Sequence, residues 1–159
     1  MSDESRLPDP AELFPEMGEL AGAMTRVTMN DTIPRKTIHL VQLRLGQLAG
    51  STYHTVRQAD LLRKAGATQE EVDSVASWPT SPYFGDAERV ALELAEAVLT
   101  PNPLGERVSG ELFARASACY DDKALWTLTL VLSQLCYFLP VALIAKPVPG
   151  KPLGKNYTK

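Results

Sequence analysis

The sequence predicts an all-α protein, and three features of the chain support that prediction. Apolar residues recur at helical spacing in several segments, for example at Ala87, Ala91 and Leu94. Prolines, glycines and capping residues stand at the boundaries of those segments. No stretch alternates between apolar and polar residues with the period of two that is typical of a half-buried strand. We therefore expect about six helices packed around one core.

The first two predicted helices are set by prolines. Asp9 can cap the free amides of a helix in which Pro10 takes the first position, and this helix is expected to run to Val27. A second helix starts near Pro34. Its apolar stripe is formed by Ile38, Val41, Leu45 and Leu48.

The next two helices have clear capping signals. Ser51 can cap a third helix, which is expected to stop at Gly66, since glycine readily adopts the left-handed closing conformation. Thr68 and Glu71 have the spacing of a capping box, which begins a short fourth helix that Trp78 and Pro79 end.

The second half of the chain predicts three further helical segments. An amphipathic helix ends at Pro101, a shorter one begins at Ser109, and the last begins at Asp121, whose charge suits a helix N-terminus. Pro140 should bend or end that last helix because it has no amide proton to donate. The amphipathic helix has one apolar stripe, formed by Ala87, Val90, Ala91, Leu94, Ala95 and Val98.

The apolar stretch over residues 124–145 is 22 residues long without a charge, about the length that spans a bilayer. Polar residues such as Thr127 and Gln134 dilute it, and the amphipathic helices need an apolar partner, so we predict a core helix. A helix of this kind is hard to bury within one small subunit, which predicts a homo-oligomer. The tail over residues 146–159 has four lysines, three prolines, two glycines and no acid. We expect it to be an extended basic arm beside a single domain over residues 1–145.

Composition and charge limit the function classes. The chain has 159 residues, 45% of them hydrophobic, and a net charge of −3, which gives no general attraction to nucleic acid or to an anionic membrane. We expect neither partner. Two cysteines, Cys119 and Cys136, are too few for a disulfide framework, and residues 1–10 lack the features of a secretion signal, so a cytoplasmic location is expected.

A polar group occupies the inner face of the third predicted helix. At about 100° per residue, Ser51, His54 and Gln58 fall on the same side as Leu62, whereas Tyr53 falls on the other side. Inward polar groups are costly unless paired, so this group is either a satisfied hydrogen-bond network or a functional site. His39 lies away from the apolar stripe of its own helix, which favours a surface histidine.

The run PRKTIHLVQLRLGQLAGSTYH over residues 34–54 resembles the signature segment of the alkylhydroperoxidase D-like / carboxymuconolactone decarboxylase family. The likeness continues through LRKAG at 62–66, ASW at 76–78, PYF at 82–84 and DAERVALELAE at 86–96. It implies the alkylhydroperoxidase D-like helical bundle, and assembly as trimers or pairs of trimers.

The chemistry that this resemblance implies is altered. The family's proton-relay glutamate corresponds to His39, its two Cys-x-x-Cys positions to Ser51 and His54, and its relay histidine to Gln58. A serine cannot replace sulfur in sulfenic acid and disulfide steps. Cys136 stands where the family often has asparagine. The resemblance thus places both histidines of the chain at positions that carry catalysis in relatives.

The leading hypothesis is a cofactor-independent acid/base enzyme of lyase, isomerase or cyclase type that acts on a small organic molecule. We assign catalysis to His54, His39 and Ser51, because imidazole titrates near neutral pH, and expect substrate contacts from Tyr53, Gln58 and Cys136. Hydroperoxide reduction through Cys119 or Cys136 and a non-catalytic ligand-binding role are the alternatives. We expect no metal, because two histidines without a third ligand are too few.

Overall fold

The computed structural model describes residues 4–151 and 155–157, and within them it contains eight α-helices, one 3-10 helix and no β-strand. The all-α prediction is confirmed, and the count of about six helices is wrong. Residues 152–154 and 158–159 of the predicted arm, and residues 1–3 of the predicted domain, lie outside the described residues. The α-helices are α1 (Pro10–Leu13), α2 (Glu16–Thr28), α3 (Arg35–Leu48), α4 (Thr52–Lys64), α5 (Gln69–Ser74), α6 (Asp86–Leu99), α7 (Gly110–Cys119) and α8 (Asp122–Ala145), and the 3-10 helix is Val75–Thr80.

The extra helix arises near the N-terminus. The sequence predicts one helix from Asp9 to Val27, but α1 ends before Phe14, whose backbone is non-helical at φ −132° and ψ 87°. Pro15 follows, and a residue that precedes proline is sterically disfavoured in the helical region. The chain therefore breaks at Phe14 and restarts as α2.

Helix α3 lies at the centre of the fold and contributes to two apolar clusters. Ile38, Val41 and Leu45 pack with residues of α6 and α8, whereas Leu40 and Leu43 pack on the other side with residues of α4, α5, α6 and the 3-10 helix. The predicted apolar stripe is confirmed except at its end, where Leu48 is exposed. Apolar clusters thus cover two sides of α3. The polar side chains of α3 are buried only where another helix packs over them.

The predicted caps are confirmed. The Ser51 hydroxyl accepts the His54 amide at the start of α4, and Thr68 and Glu71 form both hydrogen bonds of a capping box at the start of α5. Ser109 and Asp121 cap α7 and α8 in the same way. These local contacts set the ends of the helices that border the candidate site.

Helix α8 is only partly buried. It continues to Ala145, so Pro140 does not end it although proline has no amide proton to donate, and Ala142 and Ala145 in its last turn are buried. Among the described helices it is the one long and apolar enough to cross a membrane by length and composition, a test that core helices also pass, and 33% of its most apolar window is buried. The core-helix prediction therefore holds for one face. The other face exposes Trp126, Leu130, Tyr137, Leu143 and Ile144.

The C-terminal tail is not the extended arm that its composition predicts. The Val148 amide donates to the backbone oxygen of Asn156 at 2.8 Å, so the two described parts of the tail contact each other. Asn156 is buried, with 1% of its surface exposed.

Candidate functional site

Helices α3 and α4 meet closely at Gly46. A Cβ atom added to Gly46 would lie 3.0 Å from Cβ of His54 and 3.1 Å from the backbone nitrogen of Thr55. A side chain at this position would be tighter than ordinary van der Waals contact, so the neighbouring atoms of α4 would have to move by a few tenths of an ångström. The polar faces of both helices are thereby pressed together.

Five buried polar side chains belong to α3, to the cap of α4 and to α4, and we call them the polar cluster. They are 2% to 7% exposed, so the inward direction predicted for the polar face of α4 is confirmed. The polar cluster consists of His39 and Gln42 from α3, Ser51 at the cap of α4, and His54 and Gln58 from α4.

The first hydrogen-bonded pair of the polar cluster is Ser51 with His54. The Ser51 Oγ atom lies 2.9 Å from Nδ1 of His54, and the same oxygen accepts the His54 backbone amide at 3.4 Å. The Ser51 hydroxyl can donate to Nδ1 of His54, and in that tautomer His54 carries its own proton on Nε2.

The second pair joins the two helices. Nδ1 of His39 lies 3.0 Å from Oε1 of Gln58, and because the amide oxygen only accepts, His39 carries its proton on Nδ1. The expectation of a surface histidine is wrong, since His39 is 7% exposed. The face of α3 that looks polar in the sequence is covered by α4, which the periodicity of α3 alone does not reveal.

Gln42 is a member of the polar cluster that sequence reasoning missed. It is buried, and its Nε2 donates to the backbone oxygen of Val131 in α8 at 3.3 Å. It lies three residues after His39, on the same helical face. That spacing was the available signal, and it links the polar cluster to a third helix.

Burial keeps both imidazoles uncharged at neutral pH. Burial, and then the positive charge of Arg57, lower the pKa of His54 to about 4. Burial also lowers the pKa of His39, against the opposing effect of its hydrogen bond to Gln58. In the described part of the chain, no group hydrogen-bonds to Nε2 of either ring. The polar cluster thus contains two neutral imidazoles, and that of His39 has its lone pair on Nε2.

Tyr53 forms an outer wall beside His54. Its ring is perpendicular to the imidazole, with an interplanar angle of 82° and 5.4 Å between the ring centroids. Its hydroxyl accepts from Nδ2 of Asn156 at 2.6 Å. Sequence reasoning missed Asn156, and nothing in the composition of the tail signals it.

Cys136 lies apart from the polar cluster. It lines an apolar groove of about 320 Å³ between α6, α7 and α8, and no residue of the polar cluster lines that groove. Burial raises the pKa of the Cys136 thiol, and Cys119 is exposed at the end of α7. The expected substrate contact from Cys136 is therefore not brought together with His39, Ser51 and His54.

The described residues contain no group of three or more His, Cys, Asp or Glu side chains arranged to hold a metal ion. The hydrogen-bond partners of the two imidazoles are the Gln58 amide and the Ser51 hydroxyl, and groups of this kind suit hydrogen bonding to an organic ligand.

A model described as the carboxymuconolactone decarboxylase family matches residues 11–97 of the chain. The chain is 28% identical over 125 residues to the uncharacterized protein YdfG of Bacillus subtilis (strain 168), which covers 78% of this chain and 83% of YdfG. It is 31% identical over 93 residues to the uncharacterized protein YnjA of Escherichia coli (strain K12), which covers 58% of this chain and 50% of YnjA.

Solved structures share the fold. A protein of unknown function from Agrobacterium tumefaciens, named as a candidate antioxidant defence protein AhpD, superposes with a TM-score of 0.81 at 18% identity, over 94% of this chain and 100% of that one. The debrominase Bmp8, as a Cys-to-Ala variant bound to 2,3,4-tribromopyrrole, gives a TM-score of 0.75 at 17% identity, over 87% of this chain and 74% of that one. At these identities the likeness establishes the alkylhydroperoxidase D-like fold, as predicted.

Proposed function

This chain belongs to the carboxymuconolactone decarboxylase family, and we propose that it is a cofactor-independent acid/base enzyme that acts on a small organic molecule. The observation that carries the proposal is that two buried imidazoles, His39 on α3 and His54 on α4, each have one ring nitrogen held by a neighbouring side chain. Such rings are oriented in advance and need no metal to act as base and hydrogen-bond donor.

His39 is the general base in this proposal. Its Nδ1 proton is held by Gln58, so the lone pair of Nε2 remains for a substrate proton. The lowered pKa of His39 keeps this lone pair available at neutral pH. Gln58 acts as an orienting partner that fixes the tautomer.

His54 is the hydrogen-bond donor. In the tautomer in which Ser51 donates to Nδ1 of His54, Nε2 of His54 carries a proton that can face a developing negative charge. A neutral imidazole is an effective electrophile for an enolate oxygen, because its pKa is matched more closely to that oxygen than an imidazolium would be. Ser51 is thus assigned to holding the tautomer of His54.

Together the two roles suit removal of a proton from carbon next to a carbonyl group. His39 takes the proton, and His54 stabilises the oxyanion of the resulting enolate or enol. Lyases, isomerases and cyclases that work without a cofactor share this step. The substrate partner is therefore expected to be a small carbonyl compound, such as a lactone or a keto acid.

The thiol alternative has less support. Cys119 and Cys136 lie in separate helices, α7 and α8, and a raised pKa at Cys136 reduces the thiolate fraction that peroxide reduction needs. We expect peroxide consumption by the protein to stay at the buffer rate with dithiothreitol present. Consumption that disappears in a Cys119→Ser/Cys136→Ser variant would support this alternative and contradict the acid/base proposal.

The test is a proton-exchange reaction, which reports on the first chemical step whatever the final product is. The protein is incubated in D₂O with a panel of lactones, keto acids and enols, and loss of carbon-bound protons is followed by proton NMR. We expect exchange above the buffer rate for at least one class, and a loss of about 100-fold or more in a His39→Ala/His54→Ala variant. Cys119→Ser, at an exposed position, is the control and should leave exchange unchanged.

Two outcomes would contradict the acid/base proposal. Exchange that survives in the double histidine variant would remove both imidazoles from the mechanism. Saturable binding of a panel compound without any exchange would favour the non-catalytic ligand-binding alternative instead. Circular dichroism of each variant ensures that a loss of exchange is not a loss of fold.

A further inference from the structure

The C-terminal tail returns to the outer side of α4. Lys146 ends α8 in the left-handed conformation, at φ 49° and ψ 59°, which turns the chain away from the helix axis. A Cβ atom at Gly150 would lie 4.0 Å from Cγ1 of Val56. Val56 is three residues after Tyr53 and lies on the same helical face, so the tail runs beside both side chains.

Asn156 fastens the tail to α4. Its side chain is 1% exposed, and Nδ2 donates to the Tyr53 hydroxyl at 2.6 Å. Its Oδ1 atom is buried without a hydrogen-bond partner among the described residues. An unpaired buried amide oxygen costs about 1–3 kcal/mol, so Asn156 is a poor choice for stability alone, and such a group calls for a functional explanation.

Tyr53 connects this anchor to the polar cluster. Its ring packs edge to face on the imidazole of His54, and His54 is 5% exposed. A wall of this kind keeps water from the imidazole, and burial is the larger of the two causes that lower the pKa of His54. The next residue of the tail is Tyr157, and burial, followed by the effects of Tyr53 and Asp9, raises its pKa to about 12.

We propose that Asn156, in the described part of the C-terminal tail, belongs to the candidate site as a positioning residue that holds Tyr53 against the His54 imidazole. The tail thereby sets the solvation of His54 from outside the α3–α4 contact. The proposal rests on the proposed function for its catalytic consequence, whereas the chain of contacts from Asn156 through Tyr53 to His54 stands on the geometry alone.

The test follows the two histidine rings by NMR titration in the full chain. In Asn156→Ala, we expect the pKa of His54 to rise from about 4 toward the ordinary value of 6.5, because Tyr53 is released and water reaches the ring. His39 lies on the other helix of the cluster and should titrate as in the wild type, which makes it an internal reference. Pro149→Ala, at an exposed position of the same tail, is the matched control and should leave both titrations unchanged.

A second variant removes the same hydrogen bond from the other side. Tyr53→Phe keeps the ring and deletes the hydroxyl, so we expect the pKa of His54 to rise in the same direction. The Asn156→Ala/Tyr53→Phe variant should add little to either single change, since both delete one interaction. A purely structural tail would lower stability without moving His54 selectively. If Asn156→Ala does not fold, Tyr53→Phe alone decides, and an unchanged titration of His54 there overturns the proposal.

The deuterium-exchange assay separates this inference from the proposed function. With a substrate from the panel, we expect Asn156→Ala to lower kcat about tenfold with a smaller change in KM. If the His54 titration moves but no variant and no wild-type protein catalyses exchange, the proposed function fails and the role of the tail stands. If exchange is catalysed and the titration of His54 does not move, the role of the tail fails and the proposed function stands.

Discussion

Nδ1 of His39 in α3 lies 3.0 Å from Oε1 of Gln58 in α4, and this hydrogen bond crosses the contact that Gly46 makes possible. Both side chains are buried, so neither can replace its partner with water at low cost. The bond fixes the orientation and the tautomer of His39 at once. A substitution at Gln58 should therefore change the pKa and the tautomer of His39.

Substitution of Gln58 tests this dependence. Gln58→Glu places a carboxylate beside His39, and we expect the pKa of His39 to rise because the charged ring gains a partner. Gln58→Leu leaves the Nδ1 proton unpaired and should lower the free energy of unfolding by about 1–3 kcal/mol. NMR titration of His39 and urea denaturation measure the two effects. If the pKa of His39 is the same in Gln58→Glu as in the wild type, the contact does not control the ring.

Stability should decrease with acid through the neutral histidines. The pKa of His54 is lowered from 6.5 to about 4, so between these values the unfolded chain binds a proton that the folded chain does not. Above about pH 6.5, His54 is neutral in both the folded and the unfolded chain, and the full free energy of unfolding is retained. It should decline as the pH falls toward 4, by up to about 1.4 kcal/mol per pH unit from this residue. The lowered pKa of His39 acts in the same direction.

Urea denaturation between about pH 7 and 5.5 measures this decline before most carboxylates titrate. His54→Gln is the comparison, because it keeps a polar side chain and removes the titration. We expect a flatter pH dependence in His54→Gln than in the wild type. Equal slopes in the two proteins would mean that His54 is already charged, or is solvated, in the folded state.

We expect alanine at Gly46 to lower the stability of the protein, although the same substitution usually stabilises a helix. Alanine in place of an interior helical glycine usually stabilises a helix by about 0.5–1 kcal/mol, and Gly18→Ala in α2, where nothing lies within 4 Å, should do so. Gly46→Ala places a methyl group 3.0 Å from Cβ of His54, and we expect a loss of about 1–3 kcal/mol from overpacking. Thermal or urea denaturation of the two variants gives opposite signs. A gain in stability at both glycines would contradict the close approach of α3 and α4.

The outer face of α8 predicts self-association. Trp126 and Ile144 are 66% and 64% exposed, and at about 100° per residue they share one face of α8 with Tyr137. An exposed apolar face of this kind usually marks an interaction surface. We expect a homo-oligomer, a trimer or hexamer of the 17.4 kDa chain, as the family resemblance implies.

Light scattering measures the mass of the wild type and of a Trp126→Glu/Ile144→Glu variant, which should be monomeric. Leu104→Glu, at a position 95% exposed in a loop, is the control for an added surface charge and should keep the oligomer. A wild-type monomer that sediments with lipid vesicles would assign this face to a membrane instead and contradict the prediction.

The local structure of this chain was readable from its sequence. Ser51, Thr68 and Asp121 act as caps where the sequence places them, because a cap depends on backbone amides two or three residues away. The apolar periodicity of α3 and α6 likewise predicted one set of core residues, such as Val41 and Ala91, but not the second set, which includes Leu40, Leu43 and Leu92. The inward direction of Ser51, His54 and Gln58 followed from the same periodicity within α4.

Tertiary structure decided the features that depend on a second element. His39 is buried because α4 covers it, Gln42 because it reaches α8, and Asn156 because the tail returns to Tyr53. Periodicity within one helix reports which face is polar, but whether a polar face is covered depends on packing between segments far apart in the chain. For that reason the sequence alone predicted a helical protein that lacks the reactive cysteines of its family. The packing between segments decided that both histidines are buried and that each is hydrogen-bonded to a neighbouring side chain.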